Sequence, residues 1–565
     1  MALAQYPPAS SVGLWETRFM WRCGLVAVLA LMAPRLVTPQ EHSMGGAERR
    51  AAILPGLGDY HHAIATKSAE AQRFFDQGLT LVYAFNHEEA LRSFLRAAEL
   101  DPTSPMPLWG IALSVGPNYN MNINPAREGV AYKAIREAQR LAAGAPENER
   151  AYVDALARRY SGESRPDFQM LNRDYRDAMR KLMGLYPDDL DAAALYAESI
   201  MDLHAWSLWS SAGEPTEGTE ELLAVLQSVL RRDPKHPGAN HFYIHALEAS
   251  PHPETALASA HVLETLVPGA GHLLHMPSHI YVRLGNYAQA VKANEAAASA
   301  DRAYIRATGM QDSVYGRMYY SHDLLFLWIA ASMEGKFSEA KQAADELSAN
   351  VSPAVRSMPM LEALLGGPAL VLTRFQRWDD ILNLPAPEAS LAGARAYWRY
   401  SRGVAFSAKG AISKAKTERQ ELAALVNQPT SDASSGHNSA PSFVPLALEV
   451  LDARIAAAQA DHKASLAYWR RAVEMQDALP YSEPPDWYYP VRESLGGELA
   501  RTGQYAEAEA VFRADLQRNP SNPRSLFGLL QTLTAQNKVA ASRAIRQRFE
   551  NAWKYAEMPL RLEDL

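Results

Sequence analysis

The chain has 565 residues, 56 Lys+Arg against 63 Asp+Glu, a net charge of −7 and 48% hydrophobic residues. That length exceeds what one compact core organises, and a mean hydropathy of −0.24 fits a soluble protein, with no stable membrane span expected. No basic tract or basic–aromatic stripe is present, which argues against nucleic acid as a partner.

Arg18 and Arg22 precede an apolar run over 24–33, with Pro34 and Pro39 behind it. Roughly 10 apolar residues are too few to span a bilayer and suit the hydrophobic region of an export signal. Residues 1–39 are therefore read as a signal peptide starting at Met1 or Met20, with the mature chain periplasmic or secreted. Cys23 is the one cysteine and falls inside this segment. The mature chain would thus hold neither a disulfide nor a cysteine–zinc site. Residues 40–67 are rich in Gly, Pro and polar side chains and read as a linker. His61 and His62 are expected to belong to it, the alternative being extra ligands over a groove mouth.

From residue 68 onward, helical periodicity runs nearly throughout. Phe74, Gly78, Leu81, Ala90, Phe94, Ala97 and Pro102 match the roughly 34-residue tetratricopeptide (TPR) pattern, in which small residues let two helices approach and a proline ends the second. Leu495, Gly496, Leu499, Gly503, Tyr505, Ala508, Phe512 and Pro520 repeat the match. Gly403, Phe406, Gly410 and Ala415 give a third, and Gly335, Phe337 and Ala340 a fourth. The fold class is all-α, a TPR-type helical-repeat solenoid. It is expected over 68–426, then a flexible Ser/Asn-rich loop over 427–442 and a C-terminal TPR block over 443–565. Register is poorer over 119–186. His87 opens a second helix, where packing or capping accounts for it. Insertions are expected at 207–218, beside Trp206 and Trp209, and at 302–320. Trp487, Tyr488 and Tyr489 read as stacking between helices. Arg492 and Glu493 read as an ion pair within or between helices.

Two segments carry the chemistry: His241-Phe242-Tyr243-Ile244-His245-Ala246-Leu247-Glu248 and His272-Leu273-Leu274-His275-Met276-Pro277-Ser278-His279. Residues three, four and seven apart share a helix face. His241, His245 and Glu248 therefore share one face, and His272, His275 and His279 another. In the repeat register both triplets fall on first helices of adjacent repeats, at positions lining the concave surface, with the helices roughly 10 Å apart. They are expected to converge on one point. His322 opens a later first helix and joins as a candidate ligand, and Glu198 with Asp202 would extend an acidic track.

Imidazoles with one carboxylate suit a divalent transition metal such as Zn, Fe, Mn or Cu. The metal ligands expected are His241, His245, Glu248, His272, His275, His279 and His322, with Glu248 as the candidate catalytic base. The spacing is not that of the H-E-x-x-H zinc proteases, and there is no G-x-S-x-G elbow, P-loop or dinucleotide fingerprint.

Several segments together resemble a family of large exported bacterial TPR proteins. They are Phe74-Phe75-Asp76-Gln77-Gly78, Phe85-Asn86-His87-Glu88-Glu89-Ala90, Trp109-Gly110-Ile111-Ala112, Asn240-His241-Phe242-Tyr243-Ile244-His245, the run from Ala270 to Tyr281, and Trp487-Tyr488-Tyr489-Pro490-Val491-Arg492. The resemblance implies fold and export rather than a particular chemistry. The chain departs from it at His322-Asp323-Leu324-Leu325-Phe326, where relatives more often carry His-Asn with a further His before the Phe.

The reading from sequence is an exported TPR protein binding a peptide, protein or small-molecule partner in a His-rich, metal-binding groove. A metal-dependent hydrolase or oxidoreductase, and a pure protein–protein scaffold, are the alternatives.

Overall fold

The computed structural model describes residues 51–425 and 440–565. The expected signal peptide with Cys23, the first part of the linker and most of the 427–442 loop lie outside the described residues. Among the described residues there are helices and two isolated bridges but no strand, and no helix is long and apolar enough to cross a membrane.

The helices follow one another as antiparallel neighbours. The first are α1 (Ala69–Tyr83), α2 (His87–Leu100), α3 (Met106–Val115), α4 (Pro125–Ala142), α5 (Glu147–Ala157), α6 (Phe168–Leu185), α7 (Leu190–Leu203) and α8 (Thr219–Arg232). The histidine region holds α9 (Pro237–Glu248), α10 (Leu257–Leu266), α11 (Gly271–His275), α12 (Pro277–Leu284), α13 (Tyr287–Thr308), α14 (Tyr320–Glu334) and α15 (Phe337–Val351). Then come α16 (Gly367–Arg374), α17 (Trp378–Asn383), α18 (Ala392–Ala408), α19 (Ile412–Ala423), α20 (Ala440–Ala458), α21 (His462–Asp477), α22 (Arg492–Arg501), α23 (Tyr505–Arg518), α24 (Pro523–Ala535) and α25 (Val539–Ala552). Each packs on the next, and first helices also stack on first helices, as α9 does on α12 and α11 on α14. This is the helical-repeat solenoid read from the sequence.

The repeat residues explain the packing. Phe94 is fully buried in a slot floored by Gly78 and Gly110, where an added Cβ would lie 2.6 Å and 2.4 Å from its ring. Phe512 sits the same way between Gly496 and Gly528. Glycine here removes a side chain so that an aromatic from the second helix fills the space between two first helices, the close-packing device of helix pairs.

Three local expectations are corrected. The His272–His279 run is two helical segments, not one: Pro277 has no N–H to donate and interrupts the ladder at Met276. The 302–320 insertion is shorter than expected, because α13 continues to Thr308 and a π-helical turn, Tyr315–Tyr319, leads into α14. The described end of the linker is a strap bound to the repeats. Leu54 N–H donates to Gln77 Oε1 (2.8 Å), Gly269 N–H to Gly56 C=O (2.7 Å) and Tyr60 O–H to Asp191 Oδ1 (2.6 Å).

Candidate metal centre

α9, α11, α12 and α14 bring His241, His245, His272, His275, His279 and His322 into one continuous cluster. All but the partly exposed His322 are buried. Neighbouring rings lie 4.8 Å apart for His241–His245, 4.9 Å for His241–His272, 5.7 Å for His272–His275, 4.6 Å for His275–His279 and 4.7 Å for His275–His322. The two sequence triplets thus face each other, but not on a single point. The ligand atoms form adjoining groups, each within 4.8 Å: His241, His245 and His272; His275, His279 and His322; His272, His275 and Asp323; and His245, Glu248 and Glu483. His272 and His279, seven residues apart, lie about two helical turns from each other, so each pairs with a different neighbour.

Most of the rings are held from behind. His241 Nδ1 lies 2.6 Å from the Tyr83 carbonyl, His275 Nδ1 2.6 Å from Asn294 Oδ1, and His245 Nδ1 2.8 Å from Glu248 Oε1. His279 Nδ1 lies 2.5 Å from both Glu248 Oε2 and Glu483 Oε2. Asn294 Nδ2 donates to the Ala290 carbonyl (2.7 Å), which leaves its Oδ1 as the acceptor. These partners place a proton on Nδ1 in all four rings, which leaves Nε2 as the lone pair wherever the ring is neutral. Metal-ligating histidines show this pattern, the far ring nitrogen donating to a carbonyl or carboxylate.

The inward nitrogens are crowded. His241 Nε2 is 3.1 Å from His272 Nε2, and His275 Nε2 is 2.7 Å from His279 Nε2. In the second pair His279, held cationic by its carboxylates, donates its Nε2–H to the lone pair of His275 Nε2, and a metal ion bound there would displace that proton. His245 Nε2 is buried with no hydrogen-bond partner.

Electrostatics divide the cluster. Burial lowers His245 and His322 to about 3 and holds His241, His272 and His275 well below the ordinary imidazole value. These five are neutral at pH 7, the form that binds metal. Burial also opposes charge on His279, but Glu483 and Glu248 outweigh it and push the ring up to about 10. Burial and the neighbouring Glu248 raise Glu483 to about 7.

Phe85 forms the apolar floor. Its φ of 53° ends α1 in a left-handed turn, with Asn86 N–H donating to the Leu81 carbonyl (2.9 Å). The ring then lies 4.4 Å from His241 and 5.5 Å from His272. On the other side Tyr119 lies 5.2 Å from His245 and stacks at 5.3 Å on Trp206, which is 40% exposed. This stack is the solvent-facing wall of the centre.

No protein-family model matches the chain, and no curated protein matches it. Among solved structures it is similar to the human IFIT1 dimer with m7Gppp-AAAA, with a TM-score of 0.32 and 13% identity over 86% of this chain and 91% of that one. It is also similar to the APC/C hetero-tetramer Cut9-Hcn1, with a TM-score of 0.28 and 11% identity over 87% and 97%. At such scores the repeat assignment rests on the helix pairs themselves.

Sequence reasoning missed Glu483, Phe85 and the Tyr83 carbonyl, which come from a distant loop or a helix end, and Asn294, which lies on the second helix of the His275 repeat. Glu483 lies in the loop between α21 and α22, with no periodic pattern to point at the groove. Asp323 is buried 3.5 Å from His275.

Other candidates lie elsewhere. Asp202 pairs with Arg159, which takes it out of the expected acidic track. His62, expected in the linker, is held by Asp191 at 2.6 Å. Asp191 also accepts from Tyr60 and Tyr83 and lies 3.4 Å from His236, so its oxygens are fully engaged. Arg492 pairs with Asp477 and Glu493 with Arg374, so the two neighbours do not bond each other. Trp487, Tyr488 and Tyr489 are buried and pack beside Tyr400, the stacking role expected. Trp209 Nε1 donates to the Ala246 carbonyl (2.7 Å), which pins the 207–218 insertion onto α9.

Proposed function

We propose that this is an exported repeat protein whose histidine cluster binds a divalent transition metal and whose groove takes up a ligand or partner. The observation that carries the reading is the outward anchoring of Nδ1 on His241, His245, His275 and His279, which turns Nε2 inward on each, as a lone pair on the three neutral rings and on His279 once a metal displaces its proton. His245 Nε2 is buried with no protein partner, as a donor atom facing a bound cation would be. In this reading Glu248 is a positioning residue, because each of its oxygens lies against a ring nitrogen.

The test is metal analysis of the purified protein beside a variant carrying His245→Ala and His275→Ala. The wild type should carry stoichiometric zinc, copper, manganese or iron, and the variant should lose it with helicity retained. Stoichiometric metal in the variant would remove these histidines from the ligand set. Export is tested separately by N-terminal sequencing of secreted or periplasmic material, with a mature start expected between about Val37 and Ser43.

A second reading is a metal-dependent enzyme acting on a small substrate. The Tyr119–Trp206 stack favours it, since it places an exposed aromatic beside His245. Glu483 Oε1, buried without a partner, then replaces Glu248 as the free carboxylate oxygen for proton transfer. Turnover lost in Glu483→Gln with metal content unchanged would support it.

A further inference from the structure

Six histidines exceed the needs of one ion. A tetrahedral zinc-type site takes four donors, and donors opposite one another on any such ion are no more than about 4 Å apart. Two trios of ligand atoms can be picked out of the cluster, His241, His245 and His272 at one end and His275, His279 and His322 at the other, adjoining where His272 and His275 meet Asp323. Each trio contains one facing pair of Nε2 atoms, at 3.1 Å and 2.7 Å. Two imidazoles on one tetrahedral ion place their nitrogens about 3.3 Å apart, given metal–nitrogen bonds near 2.0–2.1 Å. The first pair is already close to that separation, and the second, at hydrogen-bond distance, needs its rings to part by about 0.6 Å to admit an ion.

The anchoring also comes in two halves joined at one residue. Glu248 Oε1 holds His245 of the first trio and Glu248 Oε2 approaches His279 of the second. Two dications need anionic compensation, and the centre supplies it. Glu248 touches a ring of each trio, Glu483 lies against His279 and within reach of His245, and Asp323 lies between His272 and His275.

We infer that the centre takes two transition-metal ions, one on each histidine trio, with Glu248 coupling them by holding Nδ1 of one ligand from each. This rests on the metal-binding reading above and goes beyond it in number and assignment. Three histidines per ion leave a further position on each for water, a carboxylate or a small ligand.

The full mature chain, stripped of metal, is titrated with Co²⁺ while the visible ligand-field absorption and bound cobalt are followed. Two equivalents are expected in the wild type. A variant with His241→Ala and His272→Ala should retain one, as should a variant with His275→Ala and His322→Ala. An end point at one equivalent in the wild type overturns the two-ion assignment while leaving metal binding intact. No binding at all overturns both. Loss of both ions from either folded double variant overturns the assignment of one ion per trio. If a variant proves unfolded by circular dichroism, the wild-type end point alone decides.

Discussion

The Glu248 carboxylate reaches across a helix boundary to His279, with Oε2 2.5 Å from Nδ1, while its other oxygen holds His245 on its own helix at 2.8 Å. One buried side chain therefore fixes rings from α9 and α12 at once. Glu248→Gln keeps the volume but presents an amide N–H₂ to one of two imidazole N–H donors, so either His245 loses its acceptor or His279 is left with Glu483 alone. Zinc affinity should fall by about 10- to 100-fold, as for other outer-shell partners. Competition with a chromophoric chelator measures this, and unchanged affinity would remove Glu248 from the centre.

The strap over 51–67 depends on Asp191, which accepts from Tyr60, Tyr83 and His62. Asp191→Asn breaks a buried ion pair by removing one charge, a change that costs about 3 kcal/mol. Limited proteolysis should then cut the strap first, near its exposed residues, before the repeats open. Equal protease resistance in variant and wild type would contradict the role.

The same pair sets a pH dependence. Burial opposes charge on His62, but its hydrogen bond to Asp191 and that carboxylate's charge outweigh it, so the ring rises from 6.5 to about 9. Asp191 is held well below its ordinary 3.8 against its own desolvation, by hydrogen bonds from His236 and His62. A raised histidine value means that the contribution is full below about pH 6.5 and is lost as pH rises through about 9; the lowered carboxylate value means that the pair weakens again only in acid. Strap protection by hydrogen exchange should therefore fall between pH 7 and 10, by the equivalent of about 2 kcal/mol. His62→Gln should flatten that dependence.

Gly78 faces the Phe94 ring, where a Cβ would sit 2.6 Å away. Neither the ring nor the helix behind it has room to retreat, since Phe94 is also against Gly110. Gly78→Val should destabilise the first repeats by about 3 kcal/mol through overpacking. Because repeats couple mainly to their neighbours, thermal melting should show an early phase while the C-terminal block keeps its transition.

The sequence by itself determined the helical-repeat fold and which histidines belong together. Both are written in local periodicity: Gly78 and Phe94 recur as Gly496 and Phe512, and His241, His245 and Glu248 share a face because helix geometry fixes which residues align. The tertiary structure alone decided how those histidines are divided and what holds them. Pro277 breaks the second histidine helix, and His322, 43 residues beyond His279, completes a trio with His275 and His279. Glu483 arrives from the loop after α21, and the Tyr83 carbonyl from the end of α1, because repeats far apart in the chain approach one another across the solenoid. A periodic pattern reports which face a residue occupies within its own repeat; it carries no record of which distant loop or helix end meets that face. The carboxylates and carbonyls that set the charge and tautomer of each histidine lie in those non-local contacts.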